Sequence, residues 1–198
     1  AHEFNQLIQG YLFQQNRLNK ELFINFYKNG LNQQIYVGDR IINQKNKTVK
    51  DINNSEETVY FPNGAVGYVT EIFYKDDRYG KNVPNVSSVY VQTENMNKEI
   101  VTVELTTEDL QDIDLAYAIT VHKAQGSTIP YVIFSTNNTK YGFNQMFNRK
   151  LCYTAYTRAK TELTIVLRDK ALLAFTQDAP TQQSTLHHQM LNRIQKNN

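Results

Sequence analysis

The hydrophobic pattern of the chain changes period near Thr106, and this change limits the folds that the chain can adopt. Between residues 36 and 104, about five short strand-like runs alternate with polar turns, of which Pro62-Asn63-Gly64 is the strongest. Beyond Thr106, short strand-like runs alternate with helical patterns. Because strand–helix–strand order is typical of a parallel sheet, the sequence predicts an α/β domain interrupted by a small antiparallel β-barrel.

Individual elements can be predicted from the same pattern. Apolar residues at helical spacing predict a helix over residues 3–16, and the pattern continues with mixed positions from Leu18 until near Gly30. The polar residues 45–57 are predicted to form a loop. Strands are predicted at 58–61, 65–73, 88–92, 99–103, 131–135 and 163–167, and helices from 107 and at 144–159, 169–177 and 184–195.

Composition excludes several classes of protein. The 21 basic and 19 acidic residues give a net charge of +2, so bulk charge does not indicate nucleic-acid binding. The single Cys152 excludes an internal disulfide and a multi-cysteine metal site, and it fits a reducing, cytoplasmic location. The chain contains no run of about 18 apolar residues, the length that could span a membrane. Because the chain begins with Ala1 rather than Met, we expect it to be part of a longer protein.

The polar loop between two apolar runs, within residues 117–134, is the first candidate functional segment. Gly126 would let a ligand approach the backbone, and Ser127 adds a hydroxyl and an N–H for a phosphate or ribose. A structural role is the alternative for His122, and zinc binding is not expected because no Cys or carboxylate lies at ligand spacing. Four side chains offer hydrogen bonds to a phosphodiester backbone: Thr120, His122, Lys123 and Gln125.

A second candidate segment follows about 30 residues later. Arg158 lies in an apolar helical pattern that includes Ala155 and Ala159. A guanidinium is a fixed planar cation, suited to the charge that develops on a γ-phosphoryl group during hydrolysis. The alternative is an exposed helix arginine paired with Glu162 four residues on.

Several segments resemble one family of helicases. Residues 116–127 are similar to motif V, and residues 153–160 to motif VI, of RecD-like superfamily-one DNA helicases, whose C-terminal domain is of the UvrD-like type. Residues 37–42 and 61–67 resemble the Src-homology-3-like (SH3-like) β-barrel of RecD-type helicases, and residues 183–191 resemble their terminal helix.

The resemblance implies a fold and a domain division. It implies a second RecA-like helicase domain, a parallel α/β sheet of the P-loop-NTPase type without its own Walker A motif. This domain would be split into residues 1–35 and 105–198, and residues 36–104 would be the inserted SH3-like barrel.

The resemblance also implies roles for individual residues. Arg158 would reach the γ-phosphate of ATP, Gly126 and Ser127 would lie near the nucleotide, and the four loop donors would contact single-stranded DNA or relay between DNA and ATP. Thr128 departs from the pattern, because many relatives carry an acidic residue there. On the barrel, five basic residues are candidates for the DNA surface, with ordinary solvated charge as the alternative: Arg40, Lys45, Lys47, Arg78 and Lys81.

The chain lacks other parts of an ATPase. No Gly-x-x-x-x-Gly-Lys-Ser/Thr occurs in it, and no apolar strand ends in an Asp-Glu pair. ATP and Mg²⁺ are therefore expected in the intact protein and not on this chain alone. The expected partners are single-stranded DNA, the N-terminal RecA-like domain of the same protein and further subunits of a nuclease–helicase complex, with no membrane. A stand-alone nucleic-acid-binding module and the helicase part of a conjugative relaxase are the alternatives.

Overall fold

The computed structural model describes residues 1–28, 31–54, 57–76, 85–135 and 149–166. Strands account for 47% of these residues and helices for 18%. The chain divides into two compact units, residues 1–123 and 124–198.

The described part of the first unit contains one α-helix, nine strands and a short 3-10 helix. Helix α1 spans His2–Gln14, and the 3-10 helix spans Asp109–Asp112. The strands are β1 (Phe23–Lys28), β2 (Leu31–Tyr36), β3 (Arg40–Asn43), β4 (Lys47–Asp51), β5 (Thr58–Phe61), β6 (Val66–Tyr74), β7 (Val86–Glu94), β8 (Ile100–Leu105) and β9 (Ile113–Leu115).

Seven of these strands form one curled antiparallel sheet, in the order β5-β4-β8-β7-β6-β3-β9, and β1 pairs with β2 in a separate hairpin. Alternation of buried and exposed residues explains the sheet: on β7, Val89 and Val91 are buried whereas Gln92 is exposed. On β6, a Cβ atom added at Gly67 would lie 2.5 Å from Val91 Cγ1 and 2.7 Å from the Gln92 carbonyl. Close packing of the two strands therefore requires glycine at this position.

Buried polar side chains attach α1 and the segment after β9 to the sheet. Asp39 is fully buried, and its carboxylate accepts hydrogen bonds from Gln9 Nε2 at 2.6 Å, the Tyr36 backbone N–H at 2.8 Å and the Tyr117 hydroxyl. Asn5 of α1 donates to the Leu115 carbonyl at 2.8 Å and accepts from the Ala118 N–H at 2.6 Å. These bonds fix the start of the first candidate segment.

The second unit contains a strand–helix–strand sequence. Strand β10 spans Ile129–Ser135, helix α2 Arg149–Tyr156 and strand β11 Ala159–Val166. The two strands pair in parallel, with Ile129 opposite Ala159. Cys152 and Ala155 are the buried residues of α2, and Phe134 packs edge-on against Tyr156 at 5.6 Å between ring centroids.

The predicted RecA-like parallel α/β sheet is wrong, because the described chain is mostly a curled antiparallel sheet. Short connections between strands permit hairpins, whereas parallel pairing needs a crossover of about a dozen residues or more. Within the described residues only β10 and β11 pair in parallel. The sheet also reaches past the predicted barrel, because β9 pairs with β3. The predicted domain bounds stay a prediction.

Several local predictions can be compared with the structure. The first helix and the strand at 58–61 are confirmed by α1 and β5. The helical pattern expected after Leu18 is wrong, because the chain forms β1 there; the polar loop predicted at 45–57 is partly wrong, because it contains β4. The helices predicted at 169–177 and 184–195 lie outside the described residues. Among the described helices, none is long and apolar enough to cross a membrane.

Candidate functional site

Arg158 lies between the end of α2 and the start of β11, and its guanidinium is held by neutral oxygens. Its Nε donates to the Thr154 carbonyl, its Nη1 to the Ser127 carbonyl and its Nη2 to the Thr157 hydroxyl, each at 3.1 Å. The side chain is half-buried. A carbonyl or hydroxyl orients a guanidinium without neutralising it, so Arg158 keeps its full positive charge for an anion.

Pairing of Arg158 with Glu162, the alternative considered from the sequence, is not observed. Glu162 lies on β11, beyond the end of α2, and therefore not one helical turn from Arg158. In the part of the chain that the structure describes, no carboxylate forms an ion pair with Arg158. The bonds from Arg158 run instead to the loop before β10.

That loop has an open backbone. Gly126 has φ +84°, a conformation that favours glycine, and a Cβ atom built there would have no atom within 4 Å. The Ser127 N–H donates to the Ala124 carbonyl at 3.2 Å, and the Ile129 N–H donates to the Arg158 carbonyl at 2.9 Å. Gly126, Ser127 and Arg158 are therefore brought together within the second unit. An exposed glycine backbone beside an arginine that pairs with no described carboxylate fits a phosphate-bearing ligand.

The other residues of the loop lie on both sides of the division between the units. Thr120 and His122 are exposed, and the Thr120 hydroxyl accepts a hydrogen bond from the Lys123 N–H at 3.4 Å. Gln125 and Thr128, in the second unit, are exposed as well. Thr120, His122 and Lys123 belong to the first unit, and their contacts are contacts within that unit.

An ion-pair cluster in the first unit includes Lys123, and the sequence does not reveal it. Asp114 Oδ1 lies 3.0 Å from Lys28 Nζ, and Asp114 Oδ2 lies 3.6 Å from Lys123 Nζ. Lys28 also donates to the Ile113 carbonyl at 2.8 Å. Lys28 and Asp114 are separated by 86 positions in the chain, so no local pattern predicts that they meet.

The basic candidates on the sheet differ in their surroundings. Lys45 is exposed. Lys47 is mostly buried, and its ammonium lies 3.1 Å from both Asp109 Oδ1 and Asp112 Oδ2. Arg40 is half-buried, and within the described residues its Nε has no hydrogen-bond partner. Arg78 and Lys81 lie outside the described residues.

The pKa values of two carboxyl groups in the first unit are shifted in opposite directions. Burial raises the pKa of Asp39, although hydrogen bonds from Tyr117, Tyr36 and Gln9 oppose the rise. Burial and the neighbouring Asp39 raise the pKa of Tyr117. For Asp109, burial pushes the pKa up, but bonds from Thr106 and Lys47 outweigh it and hold the pKa below its usual value.

Comparison with known proteins supports a helicase relationship for the part of the chain that contains both candidate segments. A family model of the UvrD-like helicase C-terminal domain matches residues 115–166, which contain both candidate segments. This confirms the predicted helicase C-terminal region. The chain is also 27% identical, over 139 residues, to an uncharacterised protein from Methanocaldococcus jannaschii; the match covers 68% of this chain and 11% of that protein. The chain thus spans about a tenth of the length of this relative. Within the described residues, no group of three or more His, Cys, Asp or Glu could hold a metal ion.

Proposed function

We propose that this chain is the C-terminal part of an ATP-dependent DNA helicase or translocase of the RecD-like branch. The observation that carries the proposal is the guanidinium of Arg158, which is held 3.1 Å from the Ser127 carbonyl and pairs with no carboxylate among the described residues. It joins the segment that resembles motif VI to the segment that resembles motif V. The match of residues 115–166 to the UvrD-like helicase C-terminal domain supports the same assignment.

Arg158 would act as the arginine that reaches the γ-phosphate of ATP. The nucleotide and Mg²⁺ would be held by an upstream domain of the same protein, which supplies the phosphate loop and the metal-binding acids. Arg158 would stabilise the negative charge that builds on the transferred phosphoryl group. The open backbone at Gly126 leaves room for a phosphate or ribose to approach Ser127.

The hydrogen bond between Arg158 and Ser127 suggests how hydrolysis would couple to DNA. If the Arg158 side chain turned away from Ser127 towards a phosphate, the hydrogen bond from its Nη1 to the Ser127 carbonyl would break. The loop preceding Ser127 is then free to shift. Because Gln125 lies on that loop within the second unit, a change at Arg158 would alter its contact with the phosphodiester backbone of a single strand. Thr120, His122 and Lys123, in the first unit, are proposed as further contacts to that backbone.

On the sheet of the first unit, we propose Arg40 and Lys45 as DNA contacts and a structural role for Lys47. Lys45 is exposed, so its ammonium can reach a phosphate. Arg40 is half-buried, and its Nε, which has no partner among the described residues, is itself buried, so Arg40 would use the accessible part of its guanidinium. The Lys47 ammonium is already bound by two carboxylates. Moving it to DNA would leave both aspartates uncompensated.

A stand-alone nucleic-acid-binding module is the second candidate function. The observation that favours it is that the bonds from Arg158 to the Thr154 carbonyl, the Ser127 carbonyl and the Thr157 hydroxyl can hold the loop in place without a nucleotide. In that case Arg158 would only brace the loop, and ATP would play no part. Loss of the arginine would then leave ATP hydrolysis by the intact protein unchanged.

The test restores the upstream domain and measures single-strand-stimulated ATP hydrolysis. Arg158→Ala should lower turnover about 10³-fold, because the γ-phosphate loses its cation, while the affinity for single-stranded DNA changes little. Arg17→Ala removes an exposed arginine from the first unit and should leave turnover unchanged. Hydrolysis by Arg158→Ala at the wild-type rate would reject the assignment and favour the binding module.

A further inference from the structure

A cavity of about 510 Å³ lies in the first unit between α1, the β1–β2 hairpin and the segment that ends at Lys123. Its volume falls in the range of small-molecule sites, about 300–1,000 Å³. Amide side chains make up much of its wall, and Asp114, Thr120 and Lys123 line it as well. The cavity therefore combines neutral hydrogen-bonding groups with a cation.

Internal hydrogen bonds fix part of the amide wall. Gln9 Nε2 donates to the Gln34 carbonyl at 2.9 Å, and Gln34 Nε2 donates to Asn25 Oδ1 at 2.7 Å. Asn5 is bonded at both ends of its amide. These residues connect the helix, the hairpin and the segment after β9, so the wall is formed before any ligand binds.

Other amides of the wall remain available. Across the described ranges, no side-chain hydrogen bond engages Gln6 or Gln33, both of which line the cavity. Each amide can donate and accept at the same time, as the edge of a nucleobase requires. A planar ligand with adjacent donors and acceptors would therefore be matched.

The charge of the cavity rim is also specific. Lys123 at the rim and Lys28 behind it both contact the carboxylate of Asp114, so these three residues together carry a net charge of +1. Lys123 is the more exposed of the two lysines, with 35% of its side chain accessible. One unbalanced positive charge matches the one negative charge of a phosphodiester.

We propose that this cavity binds one unpaired nucleotide of a DNA single strand and recognises its base. The free amides would hydrogen-bond the base edge, with adenine the best match for paired amide contacts. Lys123 and Thr120 would bind the adjoining phosphodiester. This inference deepens the proposed function and rests on it, because it assigns base recognition to a chain otherwise expected to contact only the backbone.

The experiment measures binding of the 198-residue chain to two labelled 12-residue oligonucleotides by fluorescence anisotropy. One is oligodeoxyadenylate, and the other is an abasic backbone of the same length. The double substitution Gln6→Ala and Gln33→Ala should weaken binding to oligodeoxyadenylate about tenfold, because two hydrogen bonds to the base are lost. Binding to the abasic strand should not change. Gln92→Ala, at an exposed amide of β7, is the matched control and should alter neither affinity.

Each contrary outcome has a distinct meaning. If the wild-type chain binds both strands equally and the double variant does the same, DNA binding stands and the base site is rejected. If neither strand and no free deoxyadenosine monophosphate binds, the DNA contact in the proposed function fails, and the base site fails with it. If free deoxyadenosine monophosphate binds the wild type better than the double variant while neither strand binds, the cavity takes a free nucleotide and the strand assignment is overturned.

Discussion

Two cations of this chain are held in opposite ways. In the first unit, the Lys47 ammonium lies between the carboxylates of Asp109 and Asp112. In the second unit, the Arg158 guanidinium bonds to two carbonyls and a hydroxyl. An ion pair neutralises the charge of a cation and stabilises the fold. Neutral acceptors orient a cation and leave its charge available to a ligand. The contrast indicates which basic residue fastens the sheet and which one can meet a phosphate.

The largest stability effect is expected at Lys47. Lys47→Met removes the cation from two partly buried aspartates and should lower the free energy of unfolding by about 3 kcal/mol. Lys45→Met, at an exposed lysine two residues away, should change it by less than about 0.5 kcal/mol. Urea unfolding of both variants provides the measurement. Equal free energies of unfolding for the two variants would contradict the structural role of the Lys47 ion pairs.

Glycines in the two units offer a second comparison. Gly67→Ala would place a methyl group 2.5 Å from Val91 Cγ1 and 2.7 Å from a backbone oxygen, which should cost about 2 kcal/mol. Gly126→Ala meets no atom within 4 Å but must adopt φ +84°, which should cost about 1 kcal/mol. Thermal unfolding of the two variants tests the order. A larger loss at Gly126 would contradict the packing of β6 against β7.

The smallest effect is a pair of opposite pH dependences within the first unit. Asp39 has a raised pKa. Its contribution to the free energy of unfolding is therefore complete below about pH 3.8 and is lost as the pH rises through the raised pKa. Asp109 has a lowered pKa. Its contribution to the free energy of unfolding is therefore present above about pH 3.8 and is lost as the pH falls through the lowered pKa.

Substitution of each aspartate should separate these two pH dependences of stability. Asp39→Asn should flatten the loss of stability on the alkaline side of pH 3.8, and Asp109→Asn should flatten the loss on the acid side. Urea unfolding at a series of pH values measures both. A wild-type slope on the alkaline side in Asp39→Asn would show that this buried carboxyl does not titrate differently in the folded chain.

The candidate site was easier to predict from the sequence than the fold. The segments around Ser127 and Arg158 belong to one strand–helix–strand sequence, and the pairing of Ile129 with Ala159 brings them together. The resemblance of the two segments to helicase motifs V and VI implied that they lie close together, and the roles of their residues stay a prediction. The pairing of Ile41 with Leu115 depends on a register set by the whole sheet, and no local pattern contains it.

The misassigned elements have similar causes. After Leu18 the sequence can be fitted to a helix, but Ile24 and Phe26 are buried at a spacing of two, as a strand requires. In β4, polar residues alternate with the buried Val49, and pairing with β5 and β8 supplies the remaining stabilisation. The same long-range pairing brings Lys47 to Asp109, 62 residues away. Tertiary contacts thus override composition in a segment that looks like a loop.

The most direct test of the contrast measures Arg158→Ala and Lys47→Met side by side in the intact protein. Single-strand-stimulated ATP hydrolysis and Tm are recorded for each. Arg158→Ala should lose about 10³-fold in turnover and little in Tm, whereas Lys47→Met should lose Tm and, below its Tm, hydrolyse ATP at the wild-type rate. Wild-type hydrolysis by Arg158→Ala, or an equal loss of hydrolysis in both variants, would contradict the account.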